Sequence, residues 1–258
     1  MNWIGDWWRG RDRRGPQTQA TLSADQAAVL VRDLPLYRRF PRRHRETLHR
    51  LTAAFVGDKE FRGSGGVEVD EPMKVIIAAQ ACMMIVNLPR LGVYPQTREI
   101  IIYPGEFGET VDAVGPDGRV YRTRDMRVGE ASRRGPILLA WDSVRHSTRF
   151  ADGFNTVFHE FAHALDYLDG SANGAPPMDD ADARERWRRV MSGEFDRFRA
   201  ALASGRRILL DPYGAQDPAE FFAVATENFF ERPRRLKRNH LALYREFRRF
   251  FGLDPYSW

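Results

Sequence analysis

Apolar residues recur at three- and four-residue steps along much of the chain, and that spacing predicts helices. Ser23 reads as the N-cap of a short helix running to Asp33 and stopping before Pro35. After Pro41 a second helix sets Leu48, Leu51, Thr52 and Phe55 on one face and Arg43, Glu46 and Arg50 on the other, ending at Gly57. Glu71–Leu88 opens with Glu71-Pro72 and is the most apolar helix, the expected centre of the core. In Phe154–Gly170 the apolar residues Phe154, Val157, Phe158, Phe161, Ala162 and Leu165 follow the same period. Asp179–Ala203 carries a stripe of Trp187, Val190, Met191, Phe195, Phe198 and Leu202. Pro218 stands at the first position of a helix over Ala219–Phe230, and a last helix covers about Arg238–Phe251.

Elsewhere the pattern turns to strands. Lys59–Asp70, with Gly63, Gly65 and Gly66, reads as a short hairpin, and Glu99–Tyr103 as a strand closed by Pro104-Gly105. Glu109–Val114 and Arg119–Thr123 flank a Gly-Pro-Asp-Gly turn and form a second hairpin. Gly135–Trp141 is a strand expected to lead almost directly into the 154–170 helix, either as an ordinary interior strand or lining a cleft where it could pair with an extended peptide. Residues 1–20, with tryptophans and arginines among Gly5, Gly10, Gly15 and Pro16, read as a flexible tail. Residues 21–258 then form one α+β domain, with lobes 21–125 and 126–258 as the alternative partition.

Composition narrows the classes. The 258 residues allow a sizeable core. No apolar run reaches a membrane span; the longest, Val75–Leu88, is interrupted by Gln80 and Asn87. The first residues lack an apolar stretch with a small-residue cleavage site, and the lone cysteine, Cys82, sits in a buried-looking helix, so the expected compartment is the cytoplasm. The net charge of +5 comes from arginine groups spread over the chain. They read as solvated faces, without a helix-turn-helix, RNP or zinc-finger pattern, so no direct nucleic-acid contact is expected.

The chemistry lies in the 154–170 helix. His159, Glu160 and His163 form an HExxH signature. Residues four apart share a helix face, so both imidazoles can address one tetrahedral zinc, with Glu160 beside the remaining coordination position as general base. The alternative is a pair of satisfied core histidines, but burying two imidazoles and a carboxylate without partners costs several kcal/mol. A third ligand is needed. His146 and His240 are the imidazole options; Glu220, in the first turn of an otherwise apolar helix, is the stronger one, either as ligand or as partner of the helix dipole. Glu227 lies seven residues on, on nearly the same face, as a fallback ligand or a group supporting the ligands. Asp166 continues the histidine stripe and could accept a ring N–H or an arginine. Tyr213, seven residues before Glu220, either caps its loop or donates to an oxyanion near the metal.

His159-Glu160-Phe-Ala-His163-Ala-Leu-Asp166, followed by Asp-Pro-Tyr213-Gly-Ala-Gln-Asp-Pro-Ala-Glu220, resembles the Mlc titration factor A family of bacterial zinc peptidases, whose catalytic part is similar to the protease domain of anthrax lethal factor. The likeness runs from about residue 22 to 251. It implies a zincin-like fold, mostly helical with a small sheet beside the HExxH helix. It also implies one Zn2+ on His159, His163 and Glu220, Glu160 as base, and Tyr213 near the metal. Aminopeptidase-like action on peptide or protein substrates follows from the same likeness, as does sequestration of a glucose-responsive transcriptional repressor. A binding protein that titrates such a repressor, with hydrolysis incidental, is the rival expectation.

Overall fold

A computed structural model of the chain describes residues 20–88, 91–114, 120–127, 129–131, 135–178 and 180–258. The tail read at residues 1–20 lies almost wholly outside the described residues. Helices dominate, beside a four-stranded sheet and a two-stranded one.

The first helix, α1 (Ala24–Asp33), begins at Ser23 with a reciprocal cap: Ser23 accepts from the Gln26 N–H, and the Gln26 side chain returns to the Ser23 N–H. A short α2 (Pro35–Arg39) follows, and α3 (Arg42–Asp58) buries Leu48, Thr52 and Phe55 as the periodicity requires. The predicted hairpin over Lys59–Asp70 does not form. Only β1 (Glu60–Gly63) is a strand; Gly65 and Gly66, at φ of +61° and +86°, then fold the chain back too tightly for a returning ladder. The chain proceeds instead to Asp70, the N-cap of α4 (Glu71–Ile85). That helix is apolar on every side and buried from Val75 to Ile85, Gln80 and Cys82 included.

Strand β2 (Glu99–Tyr103) pairs in parallel with β1, with α4 as the crossover that a parallel pair demands. β3 (Phe107–Val114) and β4 (Val120–Arg127) pair antiparallel with Val114 opposite Val120, longer than the predicted hairpin. β5 (Gly129–Ala131) runs antiparallel to β6 (Ile137–Ala140), which is parallel to β2 on its other side. The order β1-β2-β6-β5 makes β6 interior and β5 the edge. Ile100, Ile102, Ile137 and Leu139 are buried, as in sheets covered by helices.

The 135–141 strand also does not lead directly into the HExxH helix. Helix α5 (Trp141–Arg149) intervenes; with Val144 its only buried residue, its sequence barely announces it. After α6 (Thr156–Asp166) come α7 (Ala181–Ala203) and α8 (Pro218–Glu231). The predicted last helix is α10 (Leu241–Phe251), beginning after His240; a separate short α9 (Pro233–Asn239), not expected from the sequence, precedes it, and the His240 Nδ1 lies 2.9 Å from the Glu194 carboxylate. Phe222, Phe229, Phe247, Phe251 and Trp187 stack where α7, α8 and α10 meet. The core joins residues from Leu22 to Leu253, with α6 packed among α4, α8, β5 and β6. Among the described residues no helix is long and apolar enough to cross a membrane.

Candidate metal centre

Helix α6 starts where Asn155 accepts from the Phe158 N–H (3.0 Å), a cap readable from Asn155 standing just before an apolar helical run. The same side chain donates through Nδ2 to Gln80 on α4 (2.8 Å) and to Glu231 on α8 (2.9 Å). The Asn155 backbone N–H donates to Glu227. The N-terminal end of α6 is thereby tied to the C-terminal half of α8. Farther along, His159 reaches both Glu227 and Glu220, and His163 reaches Glu220, so the two helices run antiparallel with their polar groups face to face.

The ligand candidates converge. Glu220 Oε2 is 3.0 Å from His159 Nε2 and 3.4 Å from His163 Nε2, and the two imidazole nitrogens are 3.2 Å apart. Four bonds of about 2.0–2.1 Å in a tetrahedron put ligand atoms roughly 3.3–3.4 Å from one another. The three separations therefore suit one ion at their centre. His159, His163 and Glu220 are the one such metal-sized group of three among the described residues. His146 and His240 are engaged elsewhere, with Asp152 and Glu194.

The charge balance favours a cation too. Burial disfavours ionisation of Glu220, but hydrogen bonds from His159 and His163 outweigh it and hold the carboxyl at about 2. Burial also opposes charge on His159, yet Glu220 and Glu227 together raise its pKa well above the ordinary imidazole value. A proton on His159 and a divalent ion are alternative counter-charges to these carboxylates, so metal binding would release protons. Glu227, on the ring face away from Glu220, lies 2.8 Å from His159 Nδ1 and leaves Nε2 free to ligate.

Glu160 is only 4 % exposed, and burial, partly offset by the two histidines, lifts its carboxyl to about 7. Its neighbour is the edge strand β5. A Cβ on Gly129 would stand 2.2 Å from Glu160 Oε1, so the glycine makes the room this carboxylate occupies. Nothing in a lone glycine within a three-residue strand betrays that role beforehand. Tyr213 lies in a 3-10 turn, Pro212–Ala215, capped by Asp211 and seated through Gly214 against Val224 and Phe221 of α8. Its ring centroid is 5.9 Å from that of His159, and the side chain is 48 % exposed. Tyr167, four residues after His163, has its pKa raised by burial and then by the charges of Asp166, Glu220, Asp217 and Glu160. The i, i+4 stripe of His159 and His163 extends to it, a signal the sequence carries. Asp166 takes up a partner other than a ring N–H or an arginine: it accepts from the N–H groups of Gly174 and Ala175.

The chain is similar to known proteins over most of its length. The sequence model of a family described as glucose-regulated metallo-peptidase M90 matches residues 6–252. An uncharacterized protein of Synechocystis sp. is 35 % identical over 240 residues, spanning 92 % of this chain and 86 % of its own. Mlc titration factor A of Pectobacterium atrosepticum is 30 % identical over 249 residues, 93 % of this chain and 89 % of that one. The protein of the same name from Cronobacter sakazakii is 30 % identical over 226 residues, 86 % and 84 % of the two chains.

Proposed function

The chain belongs to the M90 family of metallopeptidases, and from that membership we propose a zinc-dependent peptidase of aminopeptidase-like action on a zincin-like fold. The observation that carries the choice of metal and ligands is the near-tetrahedral spacing of His159, His163 and Glu220. Two imidazoles and one carboxylate, with a fourth position open to water, form a donor set that suits catalytic zinc.

Zinc bound there would lower the pKa of a water toward about 7 and polarise a scissile carbonyl. The protein's own groups do the rest. Glu160, buried on the same helix turn as His159 and His163, takes the proton of the attacking water and delivers it to the departing amine. Tyr213, presented beside His159 by its capped turn, donates to the oxyanion as the carbonyl becomes tetrahedral. Glu227 fixes the tautomer of His159 through Nδ1.

Glu160→Gln tests this assignment, because the amide keeps the size of the side chain and removes the base. Zinc should remain at one per chain while peptide turnover falls about 10²–10⁴-fold. Full turnover in the variant would remove Glu160 from the mechanism.

The name titration factor, carried by relatives at 30 % identity, favours a second reading in which the protein sequesters a transcriptional repressor in the cytoplasm. The same variant separates the two. Undiminished repressor capture by Glu160→Gln makes titration independent of hydrolysis, and lost capture makes it depend on the active site.

A further inference from the structure

We propose that Asp166, through the turn it holds at Gly174 and Ala175, positions Glu220 against the two histidines. Asp166 is fully buried at the C-terminal end of α6, three residues after His163. Its Oδ2 accepts from the Gly174 N–H (2.7 Å) and its Oδ1 from the Ala175 N–H (2.8 Å). Two successive peptide donors thus meet the two oxygens of one carboxylate, an arrangement an amide cannot reproduce because its NH2 would face one of them. The Gly174 carbonyl in turn accepts from the Trp187 Nε1–H at 2.9 Å.

The turn lies directly on the helix that carries the third candidate ligand. At φ +72° Gly174 is in a conformation that suits glycine, and a Cβ there would stand 2.3 Å from the Pro218 carbonyl oxygen. Pro218 is two residues before Glu220, and Asp217 caps the N–H groups of Ala219 and Glu220 at the same helix end. An unbroken path of contacts therefore links the end of α6 to the first turn of α8.

The far ends of the same antiparallel pair are fastened by Asn155 to Glu227 and Glu231. Fastened at that end alone, α8 is a lever. Glu220 to Glu231 is roughly 16 Å of helix at 1.5 Å per residue. A rotation of about 3° about the Glu231 end moves Glu220 by roughly 0.8 Å, well beyond the ~0.2 Å latitude of a coordination bond. The Asp166 turn, together with the buried packing of Phe221 and Phe222, removes that freedom at the end where Glu220 sits. Asp166 is on this account a positioning residue that acts through a loop, with no contact to the ion.

The proposal rests on the metal reading above, and a double-mutant cycle on the full-length protein separates the two. The dissociation constant for zinc is measured by competition with a chromophoric chelator in wild type, Asp166→Asn, Glu220→Ala and the double variant. Near-UV circular dichroism confirms that each metal-free protein is folded. Asp166→Asn should weaken zinc about 10–100-fold in wild type, and less than about twofold once Glu220 is already gone. Gly174→Ala, which pushes on Pro218 from the turn side, should show the same dependence on Glu220 and replaces Asp166→Asn should that variant not fold. Equal losses in both backgrounds, or none in either, overturn the clamp. Wild type that takes no zinc overturns the metal reading and the clamp together.

Discussion

Replacing Gly129 by alanine tests how closely the edge strand limits Glu160, the proposed general base. The new Cβ would lie 2.2 Å from Glu160 Oε1 and 2.7 Å from both its Cδ and Cγ. Non-bonded carbon and oxygen atoms do not approach within 3.0 Å, so the carboxylate must retreat by about 0.8 Å or β5 must lift off α6. Among the described residues β5 has only β6 as a partner within the sheet, yet Glu160 is buried and has little space behind it. A catalytic group misplaced by about 1 Å costs on the order of 100-fold in rate. Gly129→Ala should therefore lower kcat by roughly that factor while zinc stays at one per chain, since the three atoms nearest the new Cβ all belong to Glu160 and none to His159, His163 or Glu220. The assay is steady-state hydrolysis of a chromogenic peptide substrate beside metal analysis of the same preparation. A variant with full zinc and unchanged kcat would show that the position of Glu160 does not limit the reaction, and would refute the packing argument.

Glu227→Gln keeps an acceptor toward His159 Nδ1 but loses the charge and turns an NH2 toward one of its donors. Zinc affinity, read by chelator competition, should fall roughly 10–100-fold; unchanged affinity would dismiss Glu227 as a support for His159. Glu231 carries a pH signature: burial, opposed by its bonds from Asn155 and Gly153, lifts its carboxyl from 4.5 to about 8. Its contribution to stability is fully present below about 4.5 and is lost as pH rises through 8, a few kcal/mol at about 1.4 kcal/mol per pKa unit. Urea unfolding of metal-free wild type and Glu231→Gln across pH 4.5–8.5 should show a gap moving in the variant's favour as pH rises; parallel curves would contradict it.

What the sequence discloses is what single elements decide for themselves. The Ser23 cap, the all-round apolarity of α4 and the period of α6 are local, and each element stands close to its expected bounds. Glu220 was conspicuous because a carboxylate opening a helix of Phe221, Phe222, Ala223 and Val224 needs a partner. Pairing between distant segments left no such trace. β1 joins β2 in parallel across α4, so the glycines at 63, 65 and 66, which resemble a hairpin turn, serve a return to helix instead. The three residues of β5 are too few to show a period, and the space Gly129 leaves for Glu160 exists only once β5 and α6 are packed. Asp166 illustrates the limit most plainly. Its place on the histidine stripe was visible, but its partners are backbone N–H groups of a turn that no side-chain pattern identifies.

The central claim, that two imidazoles from α6 and one carboxylate from α8 hold a single zinc, is tested most directly by metal analysis of purified wild type and Glu220→Ala side by side, with zinc-edge X-ray absorption on the loaded protein. The account predicts one zinc per wild-type chain, a shell of two imidazole nitrogens and carboxylate oxygen at about 2.0–2.1 Å, and loss of tight binding in the variant. A wild-type chain without zinc, or a Glu220→Ala protein that keeps it with undiminished affinity, would contradict it.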